Sequence, residues 1–122
     1  MKENNEMNPI EAKLPHHGLV AYQALKQLAL AVIKAEITDP HLHDQATRAA
    51  KNALLNVCEG AGQWDAGKKR SAYAIARGEA CEAAGCVETA ALFGAARPGS
   101  DVEVNRIAAW AAALLWPLAR KR

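Results

Sequence analysis

The chain has 122 residues, 51% of them hydrophobic and only 5% aromatic, and a formal net charge of +2. A domain of that length buries about two-thirds of the surface its unfolded chain exposes, so one core suffices. Apolar content drawn mainly from Ala, Leu and Val favours helices over strands, and so small a net charge does not by itself make a nucleic-acid binder. No run reaches the roughly 18 uninterrupted apolar residues of a transmembrane helix; the stretch from Ile107 to Leu118 is too short and contains Pro117.

Residues 1–16 are polar, with Asn4, Asn5, Asn8, Pro9 and Pro15, and read as a flexible arm ahead of a bundle spanning 17–120. The first helix is expected over about 18–38, where Ala21, Leu25, Leu28 and Val32 form one apolar row and Tyr22, Leu30, Ile33 and Ile37 lie beside it. That face is wider than one bundle seam needs, and surplus apolar surface on a small domain marks a partner contact. Tyr22, Leu30, Ile33 and Ile37, with Trp110 and Trp116 as further anchors, are therefore the candidate homo-oligomer interface.

Asp39 and Pro40 stop that helix. A second helix is predicted over about 42–59, with Ala46, Ala49, Ala50, Ala53, Leu54 and Val57 inward and Gly60 and Gly62 as its end. The third, over about 68–93, is lined by Ala72, Ala76, Ala80, Ala83 and Ala84; Gly78 and Gly85 imply a packing reason because glycine is costly mid-helix. After Arg97-Pro98-Gly99, Ser100 and Glu103 have the spacing of a capping box that opens a fourth helix over about 101–119, in which Pro117 should kink or fray the last turn. Short connections between four helices define an all-α, antiparallel up-down-up-down four-helix bundle.

Arg48, Asn52, Asn56 and Glu59 succeed one another at helical spacing and share a polar ridge. Arg77 with Glu79 or Glu82 on the third helix is the expected counterpart, giving a structural Arg–carboxylate network between facing helices. His16-His17 and His41/His43 put no two imidazoles on one helical face, and no Glu-x-x-His repeat is present, so no metal site is expected. Ser71 and Ser100 lack the context of an activated nucleophile, which leaves neither a catalytic residue nor a cofactor to expect. Cys58, Cys81 and Cys86 are odd in number with no CxxC pair, and the N-terminal residues show no basic start followed by an apolar run of the kind a signal peptide has. They read as small buried hydrophobes of a reduced, cytoplasmic protein.

The run from Gln45 to Gly62, with its R-A-A-x-N-x-x-x-N-V-x-E-G-x-G form, resembles the signature of the four-helix-bundle proteins encoded in intervening sequences of bacterial large-subunit ribosomal RNA genes. The segments from Gly18 to Ala24 and from Ala76 to Glu82 are similar to that family's opening aromatic-Gln motif and its third-helix A-R-G-S-x-x-E motif. The family includes the accessory variability protein of diversity-generating retroelements. The resemblance thus implies a non-enzymatic, ring-forming homo-oligomer, pentameric in that relative, that binds nucleic acid and a reverse transcriptase through a basic surface. Glu79 departs from the family's Ser, and the near-balanced charge departs from a strongly basic relative.

Two basic clusters are the candidate nucleic-acid contacts. Lys68, Lys69 and Arg70 begin the third helix, where cations oppose the helix dipole, and Arg120, Lys121 and Arg122 follow the fourth, where they complement it. They are expected at opposite ends of the bundle, so that several copies in a ring would be needed to multiply a weak contact. The alternative is a protein-interaction scaffold with no nucleic-acid role.

Overall fold

The computed structural model describes residues 13–121. A short 3-10 helix, η1 (Pro15–Gly18), precedes α1 (Val20–Lys34), α2 (Pro40–Gly62), α3 (Ala66–Leu92) and α4 (Ser100–Ala119). The helices pack in cyclic order, α1 on α2, α2 on α3, α3 on α4 and α4 on α1, and the diagonal pair α1 and α3 touches far less. This is an antiparallel up-down-up-down four-helix bundle. No described helix is long and apolar enough to cross a membrane. One end of the bundle, here the near end, holds η1, the α2–α3 turn and the C-terminus of α4; the far end holds the α1–α2 and α3–α4 turns.

Alanine lines the interior. Ala24, Ala46, Ala53, Ala76, Ala80, Ala83, Ala90 and Ala111 are fully buried, while Leu25, Leu28, Leu115, Val57, Val87 and Val104 are the largest apolar side chains sealed from water. Side chains this small permit helix axes to approach at the short end of the usual range of about 8–10 Å.

Helix ends differ from the sequence reading in several places, each for a local reason. Pro15 and His16, expected in the arm, belong to the 3-10 helix Pro15–Gly18, and residues 1–12 of that arm, like Arg122, lie outside the described residues. α1 ends at Lys34, because Glu36 takes a left-handed conformation (φ 50°) that turns the chain. Ile37 is thereby folded into the core at 8% exposure and is removed from the candidate oligomer interface. Pro40 opens α2 at its first position, where a missing amide hydrogen is harmless, and the Asp39 carboxylate accepts from the Leu42 amide at 2.9 Å. α2 passes through Gly60 and stops at Gly62. The Ser100 capping box does not form: Gly99, at φ 83°, occupies the N-cap, and Ser100 is the first helical residue, buried with its Oγ unpartnered. α4 extends past Pro117 to Ala119.

The far end is cross-laced through backbone groups. The Thr38 amide donates to Ala95 O at 2.9 Å, the Arg97 amide to Ala35 O at 2.7 Å, and Arg97 Nε to Lys34 O at 2.8 Å. Gly94 (φ 71°) completes a Schellman motif after α3, with Gly94 donating to Ala91 O and Ala95 to Ala90 O.

The glycines sort by neighbour. A Cβ on Gly78 or Gly85 would meet nothing within 4 Å, so neither has the packing role their mid-helix positions imply, whereas a Cβ on Gly60 would lie 2.9 Å from the Tyr73 ring. Gly78→Ala and Gly85→Ala should each stabilise the bundle by about 1 kcal/mol through helix propensity. Gly60→Ala should lower stability despite the same propensity gain, because the Tyr73 ring must move. Urea unfolding of the three variants measures the difference in sign.

Candidate functional site

The two basic clusters meet at the near end. α3 leaves that end and α4 returns to it, so Lys68-Lys69-Arg70 and Arg120-Lys121 share one end of the molecule, contrary to the placement expected from sequence. A cleft of about 310 Å³ lies between them, lined by Lys69, Arg70, Tyr73, Pro117, Arg120 and Lys121. Lys68 is exposed beside it, its backbone amide bonded to Asp65 Oδ2 at 2.8 Å as part of the α3 cap.

Lys69 explains why a cation begins a helix. Its Nζ donates to Gly60 O at 2.8 Å and to Ala61 O at 3.2 Å, the open carbonyls at the end of α2, and lies 5.9 Å from the centre of the Tyr73 ring. A charge unfavourable at the start of α3 is favourable at the end of α2, and the shared turn makes it serve the second role. Tyr73 is 4% exposed, packed against Gly60, and its phenol pKa is raised above 10.0 by burial. Arg70, Arg120 and Lys121 complete the positive wall; Asp65 and Glu59 are the acidic residues nearest in the chain, and Asp65 is engaged in capping.

Charge is segregated along the bundle axis. Glu36, Asp39, Glu88, Asp101 and Glu103 gather towards the far end with Lys34, Arg97 and Arg106, while the near end is dominated by cations. The net charge of +2 therefore conceals a strongly basic end.

The Arg–carboxylate network does not form. Asn52 Nδ2 donates to Glu79 Oε2 at 3.4 Å, Asn56 Nδ2 turns back to Asn52 O at 2.8 Å, and Arg48, Glu59 and Glu82 are exposed. Arg77 faces α4, with Nε donating to Ala112 O at 3.2 Å and its guanidinium 5.5 Å from the centre of the Trp116 ring. Residues two apart on a helix point about 200° apart, so Arg77 and Glu79 cannot serve the same face. Among the described residues, no Lys or Arg pairs with a carboxylate within 4.0 Å; exposed His43 Nδ1 lies 3.6 Å from Asp44 Oδ1.

Of the candidate oligomer residues, Leu30, Ile33, Trp110 and Trp116 are exposed, and Tyr22 is half-buried against His16 with Lys26 over its ring. More fully exposed apolar side chains lie elsewhere: Leu92 and Phe93 at the far end, and Trp64 in the α2–α3 turn. The cysteines are not all buried. Cys86 is buried, Cys58 partly so, and Cys81 exposed. Among the described residues, no group of three or more His, Cys, Asp or Glu is placed to hold a metal ion.

No protein-family model matches the chain, and no curated protein matches it.

Burial raises the Cys58 and Cys86 thiols above 9.0, with the Glu82 charge adding to the effect at Cys86, and it raises Tyr73 above 10.0. The folded chain thus keeps these groups protonated where the unfolded chain ionises them. Their contribution is fully present below the unfolded pKa values and is lost as pH climbs towards the folded ones. Thermal unfolding followed from pH 7 upward should show a midpoint that begins to fall near pH 9 and falls further past pH 10.

Proposed function

We propose that this chain is a non-enzymatic, homo-oligomeric accessory bundle that binds nucleic acid through the cleft between the start of α3 and the end of α4. The observation that supports it best is the convergence of Lys68, Lys69, Arg70, Arg120 and Lys121 on one end of a nearly neutral molecule. Arg70 and Arg120 present planar guanidinium groups suited to phosphate oxygens, and the lysines add point charge without demanding a base sequence. A cation array of this kind positions a phosphate backbone and does no chemistry on it. The sequence resemblance adds a ribonucleoprotein or reverse-transcriptase partner to the same reading, and a ring of copies, pentameric or otherwise, would repeat the cleft around an axis. Exposed Leu30 and Ile33 on α1 and Trp110 on α4 supply the apolar surface for self-association.

A protein-scaffold reading draws on a different place. Leu92 and Phe93 are 81% and 76% exposed at the far end, an apolar patch at the opposite end from the basic cleft.

Labelled RNA and DNA titrated at two salt concentrations should bind with an affinity that falls steeply as salt rises. The double variant Arg70→Glu/Arg120→Glu should abolish binding or flatten that slope by roughly two phosphate contacts, about 0.7–0.9 per contact. Binding that ignores both salt and charge reversal would remove the cleft from the reading. Light scattering that returns only the 13.0 kDa monomer at high concentration would remove the oligomer.

A further inference from the structure

The near end carries one aromatic residue that the fold does not use. Trp64 is 99% exposed, the most exposed of the large hydrophobic side chains. Its indole contributes almost nothing to the core, although a tryptophan in a packed site is among the largest single apolar contributions available to a small domain.

Its backbone is held firmly on both sides. The Gln63 amide donates to Gly60 O at 3.3 Å, and the Asp65 carboxylate takes the Lys68 amide at 2.8 Å. The Lys69 amide donates to Asp65 O at 2.9 Å, while Lys69 Nζ ties the end of α2 across the same turn. Trp64 is therefore displayed from an anchored turn of three residues between two long helices. Ala66, which lines the basic cleft, is only two residues away, so at most about 7 Å of chain separates the Trp64 backbone from the cleft wall.

A fully solvated indole in the turn that leads into a row of cations supplies the two parts of a single-strand site, a positive groove that follows phosphates and an aromatic face on which a base stacks. In a duplex the faces of the bases are already covered by their neighbours, so an indole standing at its edge gains nothing; an unpaired base offers the whole face. A second copy of this chain docking end to end on Trp64 would bring Lys68, Lys69 and Arg70 of both copies together, a like-charge contact that disfavours that occupant.

We infer that the near end is a site for single-stranded nucleic acid, in which Arg70, Arg120, Lys68 and Lys121 track the phosphates and Trp64 stacks on an unpaired base. This deepens the proposed function and rests on it. Because stacking reads a π-face that every base has, the site takes RNA and DNA strands alike and has little sequence preference.

The test is fluorescence anisotropy with a single-stranded RNA, a single-stranded DNA and a duplex of equal length, using the full chain and its Trp64→Ala, Trp64→Phe and Arg70→Glu/Arg120→Glu variants. The wild type should favour both single strands over the duplex. Trp64→Ala should weaken single-strand binding by about tenfold and leave duplex binding unchanged, with Trp64→Phe retaining most of the affinity. Indole emission should be quenched on single-strand binding in the wild type, and the part of that quenching lost in Trp64→Ala reports the stacked residue. Trp64 is solvated, so circular dichroism of Trp64→Ala should match the wild type.

Equal affinity of Trp64→Ala and wild type for single strands, or duplex binding as tight as single-strand binding, overturns the inference. If the arginine variant loses binding in that same case, the phosphate reading survives and stacking alone is discarded. If no nucleic acid binds the wild type, both fall. A change in oligomer size in Trp64→Ala without a change in single-strand affinity makes Trp64 a subunit contact and also overturns the inference.

Discussion

Close approach of the helices, permitted by the alanines that line them, is the constraint on which the other features depend. Ala46 and Ala53 of α2, Ala76, Ala80 and Ala83 of α3 and Ala111 of α4 are all sealed from water, and none carries side-chain volume that would hold the helices apart. Such an interior gains little per residue from burial and relies on the density of contact between backbones. The same economy of volume leaves few apolar side chains to cover the outside. Leu30, Ile33, Leu92, Phe93, Trp64 and Trp110 are therefore conspicuous as residues that the monomer core does not employ.

At the near end the close approach is carried to its limit. Tyr73 lies against Gly60 with no space for a Cβ, which brings the start of α3 beside the end of α2 and lets Lys69 reach the carbonyls of Gly60 and Ala61. One lysine thus satisfies a helix terminus while its neighbours Lys68 and Arg70 remain free to face outward. Arg120 and Lys121 arrive at the same place because α4 is antiparallel to α3. The packing of an alanine-rich bundle and the shape of its positive end are consequences of a single geometry.

The four helices were legible in the sequence because alanine and leucine recur at helical spacing and because Pro40, Gly94 and Gly99 punctuate the chain. Details that depend on dihedral angles or on direction were not. The apolar row through Ile33 and Ile37 continues past Lys34, yet the left-handed Glu36 breaks the helix and turns Ile37 inward. Ser100 has the side chain of an N-cap, but the φ of Gly99 takes that position one residue earlier. Arg77 and Glu79 sit in one motif and point to different helices. The meeting of the basic clusters follows from the direction of α3 and α4, which needs the topology to be traced end by end. Trp64 left one signal, a tryptophan in a short polar turn with three cations beginning four residues later, and nothing in hydrophobic periodicity draws attention to it.

The lacing at the far end bears on how the chain reaches this state. Thr38 bonds to Ala95 across a separation of 57 residues, and Arg97 to Lys34 across 63. Hairpins α1–α2 and α3–α4 each form from near neighbours in the chain, but these contacts close a much longer loop and carry its entropy before returning any benefit. They tie the α1–α2 connection to the α3–α4 connection. Once made, they leave neither half able to open by itself at that end, so α1 cannot peel away from α4 without releasing the turn that holds α3. Opening at the far end therefore requires both connections to be released together.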